Sequence, residues 1–431
     1  MAVNTSISLR NKIIYCVYTR NYKGNGTFRD VESDLDRIRD LGVDIVWFLP
    51  VHPIGQVNRK GNLGSPYSIE DHREINPEYG TIEDFKKLLD GIHSKGMMVM
   101  MDIPFYYTSY KSKLYKAHPE WFYRKPDGSL GSKIDHCDDV IEPDYSNREL
   151  WDYQIETLKY WAEFGIDGFR CDLAQLVPLE FWQKAREEVE KVKKGIIWLS
   201  DSISPDFMMY MRNNGFSASS DCEMFQVFDI TYDYDVDFAF RPFLRGESSL
   251  DSYIERLRCQ EIINPSNYVK LRFLENHDQE RAKMLFPVKE DLIMWTAFLY
   301  FQKGAVLLYA GQEAMDEKTP NLFDKDRVNW NGMTGEFSSY IKLLGAIKKD
   351  PLFASGRYMI NDTSKRGVVA ASYKGDTKKL IGVFNIERKE GFIEVDCRDG
   401  IYKNMIDGED LAINQGKLRL NTKPVIFEVK I

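Results

Sequence analysis

From residue 13 to about 350 the chain alternates short β-branched or aromatic runs with amphipathic segments of helical period, and no other feature limits its fold so strongly. Eight runs read as strands, at 13–18, 44–51, 97–103, 167–173, 196–201, 224–230, 269–275 and 305–311. Between them, 31–42, 81–96, 148–165 and 178–195 repeat apolar residues every three or four positions and end on glycine, as helices do. Eight strands with helices between them predict an α/β chain closed as a (β/α)8 TIM-type barrel. The stretch 105–147 is too long for a barrel loop, which predicts a small inserted subdomain after strand three. Beyond residue 350 short alternating segments with turns predict a C-terminal antiparallel β-sandwich. The expected organisation is barrel at 1–104, insertion at 105–147, barrel again at 148–350 and β domain at 351–431.

Charge and cysteine usage narrow the partners. With 58 basic and 66 acidic residues the net charge is −8, and no long Lys/Arg run is present, which speaks against nucleic acid and other anionic partners. The most apolar stretch, 292–311, is interrupted by Gln302, Lys303 and Gly304, so it reads as a buried helix turning into a strand and not as a membrane span. Six cysteines without a C-x-x-C pair indicate neither a zinc site nor a disulfide scaffold and fit reduced thiols in the cytoplasm. A chain from which a secretory leader had been removed would read the same way. Nothing in the sequence fixes the oligomeric state.

The chemistry gathers at the ends of the strands. In GIDGFRCDLA (165–174) strand alternation turns Arg170 and Asp172 to one face, with Phe169 and Cys171 on the other. A guanidinium beside a carboxylate keeps it ionised, as a nucleophile or electrostatic stabiliser requires, although a lone Arg-x-Asp is more often a structural ion pair. Here it is not alone: Asp102 closes the third strand, Asp201 the fifth, and Asn276, His277 and Asp278 follow the seventh. A barrel core favours branched apolar residues, and unpaired buried carboxylates are costly. Clustered acids with an arginine and a histidine, in no metal-binding spacing, suggest acid–base chemistry on a neutral polyol.

Four segments carry a specific resemblance: VHPIGQVNRKGNLGSPYSIEDHREINPEYGT (51–81), GFRCDLA (168–174), FLENHDQER (273–281) and LLYAGQE (307–313). Through them the chain resembles the α-amylase family of retaining glycoside hydrolases along nearly its full length. The resemblance implies Asp172 as the nucleophile that forms the glycosyl ester and Arg170 as its charge partner. It implies Asp278 and His277 as groups on the sugar hydroxyls, Tyr67 as the ring that stacks on the sugar, Asp71 as a brace of that loop and Asp102 as a buttress of Arg170.

The chain also departs from the family pattern. Asp201 stands where the family has a glutamate as general acid, and it is shorter by one C–C bond, about 1.5 Å. At strand three, DIPFYY (102–107) replaces the family pattern D-x-x-x-N-H. Tyr106 thus stands for the asparagine that commonly binds a structural calcium, so that site is expected to be absent and no metal or other cofactor is implied. Tyr107 stands for the histidine that contacts the sugar. Three readings follow: an α-glycosidase acting on α-1,4-linked glucose oligo- and polysaccharides by double displacement with reduced activity, a glucan-binding homologue impaired in catalysis, or an α-glucan transglycosylase. Glu275 is an alternative acid. Trp121 and Phe122 are candidates either for lining the cleft or for packing the insertion.

Overall fold

The computed structural model describes residues 4–134, 137–333 and 335–431. Eight parallel strands close in sequence order: β1 (Ile13–Val17), β2 (Ile45–Phe48), β3 (Met98–Ile103), β4 (Gly168–Cys171), β5 (Ile197–Ser200), β6 (Ile230–Tyr232), β7 (Lys270–Arg272) and β8 (Ala305–Tyr309). Their residues are almost all buried, as expected of strands covered on both faces. The expected TIM-type barrel is therefore the observed architecture.

Contacts divide the chain into two compact units. The first comprises residues 1–5, 14–232 and 319–329. Here α1 (Ile82–Ser94) starts in a capping box, with Thr81 accepting from the Asp84 N–H and Asp84 accepting from the Thr81 N–H. The next helix, α2 (Arg148–Phe164), ends at Gly165, whose φ of 129° suits a residue without a Cβ. The third, α3 (Leu179–Val192), buries Phe181, Trp182, Ala185 and Val189 along one face. The segment after β3 has its own small core of Leu114, Trp121, Phe122 and Ile141, packed with Leu150 of α2. Trp121 and Phe122, each 4% exposed, belong to that core, the packing alternative of the two held open for them.

Two other expectations are revised in this unit. Residues 31–42 form two short helices, Phe28–Glu32 and Leu35–Asp40, because the Asp34 carboxylate between them is drawn to Tyr22 and Arg37. The run 224–230 is not a strand from its start. Asp221–Met224 is helical, capped by a box in which Ser220 and Glu223 satisfy each other's backbone N–H, and only Ile230–Tyr232 joins the sheet.

The second unit comprises residues 6–13, 233–318 and 330–431. In it, α4 (Lys289–Phe301) buries nine residues around its circumference and leads through Gln302, Lys303 and Gly304 into β8, the helix-to-strand turn expected there. Among the described residues no helix is long and apolar enough to cross a membrane. From Arg357 to Lys430 eight antiparallel strands form two four-stranded sheets, which enclose an apolar core including Ile381, Ile413, Leu418 and Phe427.

Candidate active site

Register builds the site. In the parallel pairing of β3 with β4, Asp102 stands directly opposite Arg170, and the next rung of β5 brings Asp201 beside Cys171. The ladder continues past the strand ends, with Asp172 N–H donating to the Ile103 carbonyl (3.2 Å) and Asp201 N–H to the Cys171 carbonyl (3.0 Å). The backbones of both acids are therefore fixed by the sheet.

One guanidinium holds three carboxylates. Arg170 Nη1 donates to both oxygens of Asp102 (3.0 Å each) and to Asp172 Oδ1 (2.7 Å), while Nη2 lies 2.9 Å from Asp201 Oδ2. Tyr67 donates its hydroxyl to Asp102 Oδ2 (3.2 Å) and lies 3.4 Å from Arg170 Nη1. Trp47, Tyr67 and Tyr232 surround the guanidinium, their ring centroids 5.4, 5.8 and 5.9 Å from its carbon. Burial opposes the charge on Arg170, but Asp102, then Asp201, Tyr67 and Asp172 outweigh it and raise its pKa well above the ordinary value. Arg170 is thus a permanent cation at the centre of the group.

Leu173, next to Asp172, adopts a left-handed conformation, φ 44° and ψ 34°, rare for a leucine. This turn aims its N–H at Asp201 Oδ2 (3.2 Å), so the segment after one carboxylate holds the other. Gln175 fixes the same region from behind, donating to Asp221 (2.7 Å) and accepting from the Ile203 N–H (2.6 Å), and Ser202 also donates to Asp221 (2.8 Å). Neither Leu173 nor Gln175 was marked by the sequence. A leucine offers none of the glycine, asparagine or aspartate signals of a turn, and the Gln175–Asp221 contact joins positions 46 residues apart.

Asp71 braces the loop after β2, accepting from the Arg73 N–H (2.9 Å) and pairing with Lys113 (2.9 Å) of the inserted segment. Tyr107 follows β3 in the inserted segment. It is buried, its hydroxyl accepting from Ser132 (3.3 Å) and lying 3.6 Å from Cys137 Sγ, which makes it part of the insertion's wall.

In the second unit, Asn276 accepts from the Asp278 N–H (2.9 Å) and donates to Tyr234 (2.7 Å), so the turn after β7 is held from both sides. The His277 side chain is 1% exposed and its Nε2 lies 3.0 Å from Asp278 Oδ2, whereas the Asp278 side chain is 52% exposed and open to a ligand. Glu275, the alternative acid, has both oxygens engaged, by Arg281 Nη1 (2.6 Å) and the Ala282 N–H (2.6 Å), and so serves the structure.

The residues after β3 do not suit calcium. Glu142 is paired with Lys133, Asp139 with Lys60 (3.0 Å), and the position expected to offer an amide oxygen is the phenol of Tyr106, which burial keeps neutral. Among the described residues no cluster of three acids, histidines or cysteines could hold a metal ion.

A model of the α-amylase catalytic domain matches residues 16–127 and 136–352. The chain belongs to the α-amylase family. A model of the bacterial α-amylase C-terminal domain matches residues 359–427. Among solved structures, an α-amylase from Lactobacillus plantarum is 41% identical with a TM-score of 0.95, covering 98% of this chain and 100% of that one. A maltogenic α-amylase from Thermotoga neapolitana is 34% identical with a TM-score of 0.87 over the same shares. An α-1,4-glucan:maltose-1-phosphate maltosyltransferase from Picrophilus torridus is 28% identical over 416 residues, 87% of this chain. Another of that name from Cereibacter sphaeroides is 32% identical over 216 residues, 45% of this chain. The chain spans 61% and 36% of the length of these two curated relatives.

Proposed function

We propose that this α-amylase family member cleaves α-1,4-linked glucans by retaining double displacement, with Asp172 as nucleophile. One observation carries the reading: Asp172 Oδ1 rests 2.7 Å from Arg170 Nη1, inside a guanidinium-centred group with Asp102, Asp201 and Tyr67. The permanent charge of Arg170 keeps Asp172 an anion ready to attack the anomeric carbon. Asp201 must carry a proton at the moment it donates to the leaving oxygen. The C–O bond to the leaving sugar breaks as the Asp172 ester forms, and the Asp201 proton goes to the departing oxygen. A water or a sugar hydroxyl then attacks the ester, giving its proton back to Asp201. Tyr67 offers a ring for a sugar to stack on, and Asp278 and His277 offer groups for sugar hydroxyls.

Hydrolysis is the reading favoured by the 41% and 34% identical relatives, both α-amylases matched over their whole length. Transfer to a sugar acceptor is the second reading, favoured by the maltosyltransferases. Incubating the protein with maltoheptaose and separating the products decides between them. Shorter oligomers alone indicate hydrolysis, and products longer than seven units indicate transfer. Asp172→Asn should lower either rate by on the order of 10⁴-fold. Turnover that survives this change removes Asp172 from the mechanism, and no turnover of any α-glucan by the parent leaves only the impaired binding homologue.

A further inference from the structure

The inserted segment encloses an anion that the reaction does not use. The Glu142 side chain is 1% exposed, and it is engaged by residues about ten positions upstream: the Lys133 ammonium at Oε1, then the Lys133 N–H (3.0 Å) and the Ser132 hydroxyl (3.5 Å) at Oε2. The Glu142 N–H donates to the Gly131 carbonyl (3.2 Å), so backbone and side chain close the same turn. The ammonium is flanked by the rings of Tyr123 and Phe216, 5.0 and 5.7 Å from their centroids, and Lys133 is about a quarter exposed. Tyr106, Lys133, Glu142 and Asp144 all line one cavity of about 300 Å³. A divalent cation there would have to displace Lys133 from its carboxylate, and the phenol of Tyr106 offers little in return.

We propose that the Lys133 ammonium is an internal cation that does the structural work of a bound metal, tying the end of the insertion to Glu142. A tethered cation needs no free ion to fill its site, so the fold stays closed whatever the calcium concentration. Its absence, in contrast, leaves a carboxylate buried without its charge partner.

Thermal unfolding of the full chain tests this, and because it needs no turnover its outcome is separate from that of the glycosidase reading. The parent should unfold at the same temperature in EDTA and in millimolar calcium chloride. Lys133→Met should lower the midpoint by about 4 °C or more. Lys133→Arg, which keeps the charge, should stay close to the parent. Lys133→Met combined with Glu142→Gln should recover over half of the loss, since no unpaired charge remains. A parent midpoint that falls in EDTA and returns with calcium overturns the proposal, as does a Lys133→Met midpoint equal to that of the parent. A double variant no better than Lys133→Met alone shows that packing of the lysine stem, not its charge, was lost, and overturns it too.

Discussion

Asp201 is expected to stand for a glutamate, and its contacts say what the shorter side chain does. Its Oδ2 is drawn back toward β4 by Arg170 Nη2 and the Leu173 N–H, so the carboxyl is held at the base of the group. A glutamate carries its carboxyl about 1.5 Å farther out. Misplacing a reacting group by about 1 Å can cost on the order of a hundredfold. Asp201→Glu is therefore expected to raise kcat/KM on maltooligosaccharides by roughly ten- to a hundredfold, measured by initial rates of reducing-end release. A slower variant would mean that the aspartate is matched to this site and that the acid is not its weak point. The pairing that makes this reasoning possible was legible in the sequence, because strand alternation alone turns Arg170 and Asp172 to one face. What Leu173 does was not legible: a left-handed leucine carries no signal in its side chain, and the Asp201 carboxylate its N–H meets lies 28 positions away.

Among the elements, the strands that end in chemistry were read more reliably than those that begin after a cap. The run 224–230 is apolar enough to pass for a strand, yet the Ser220–Glu223 capping box just upstream starts a helical turn that delays the sheet to Ile230. Local hydrogen bonds here outweigh apolar content. The insertion shows the converse. Its aromatic residues were equally compatible with a sugar-lined cleft and with packing, since stacking and burial ask for the same side chains. In the structure Trp121 lies within the small core with Leu114, Phe122 and Ile141 and is stacked on His118, ring centroids 3.7 Å apart. Trp121→Ala should therefore cost about 3 kcal/mol or more in stability, read from urea unfolding, and expose the insertion to protease. A variant with unchanged stability but a raised KM would return Trp121 to the cleft.

At the scale of the molecule, acid stability depends on two histidines buried in the first unit. His52 Nδ1 lies 3.0 Å from the Glu74 carbonyl and His72 Nε2 lies 3.1 Å from the Pro104 carbonyl, their rings 5.9 Å apart. Burial, with His72 nearby, lowers the pKa of His52 to about 3, and burial lowers that of His72 to about 4, although the two carbonyls and Asp71 oppose the shift. Both rings are thus neutral in the fold, whereas in the unfolded chain they titrate near 6.5. Below that pH the unfolded chain binds more protons, so stability rises with pH in this window. The contribution is complete above about pH 6.5 and is lost as the pH falls toward 4 and then 3. Between pH 6.5 and 5.5 the two groups together should cost about 2 kcal/mol. Urea midpoints at pH 7.5, 6.5 and 5.5 measure the slope. His52→Asn keeps an amide N–H where Nδ1 now reaches Glu74 but cannot titrate, so it should lower stability at every pH while removing about half of the slope. An unchanged slope would assign the acid sensitivity to other groups.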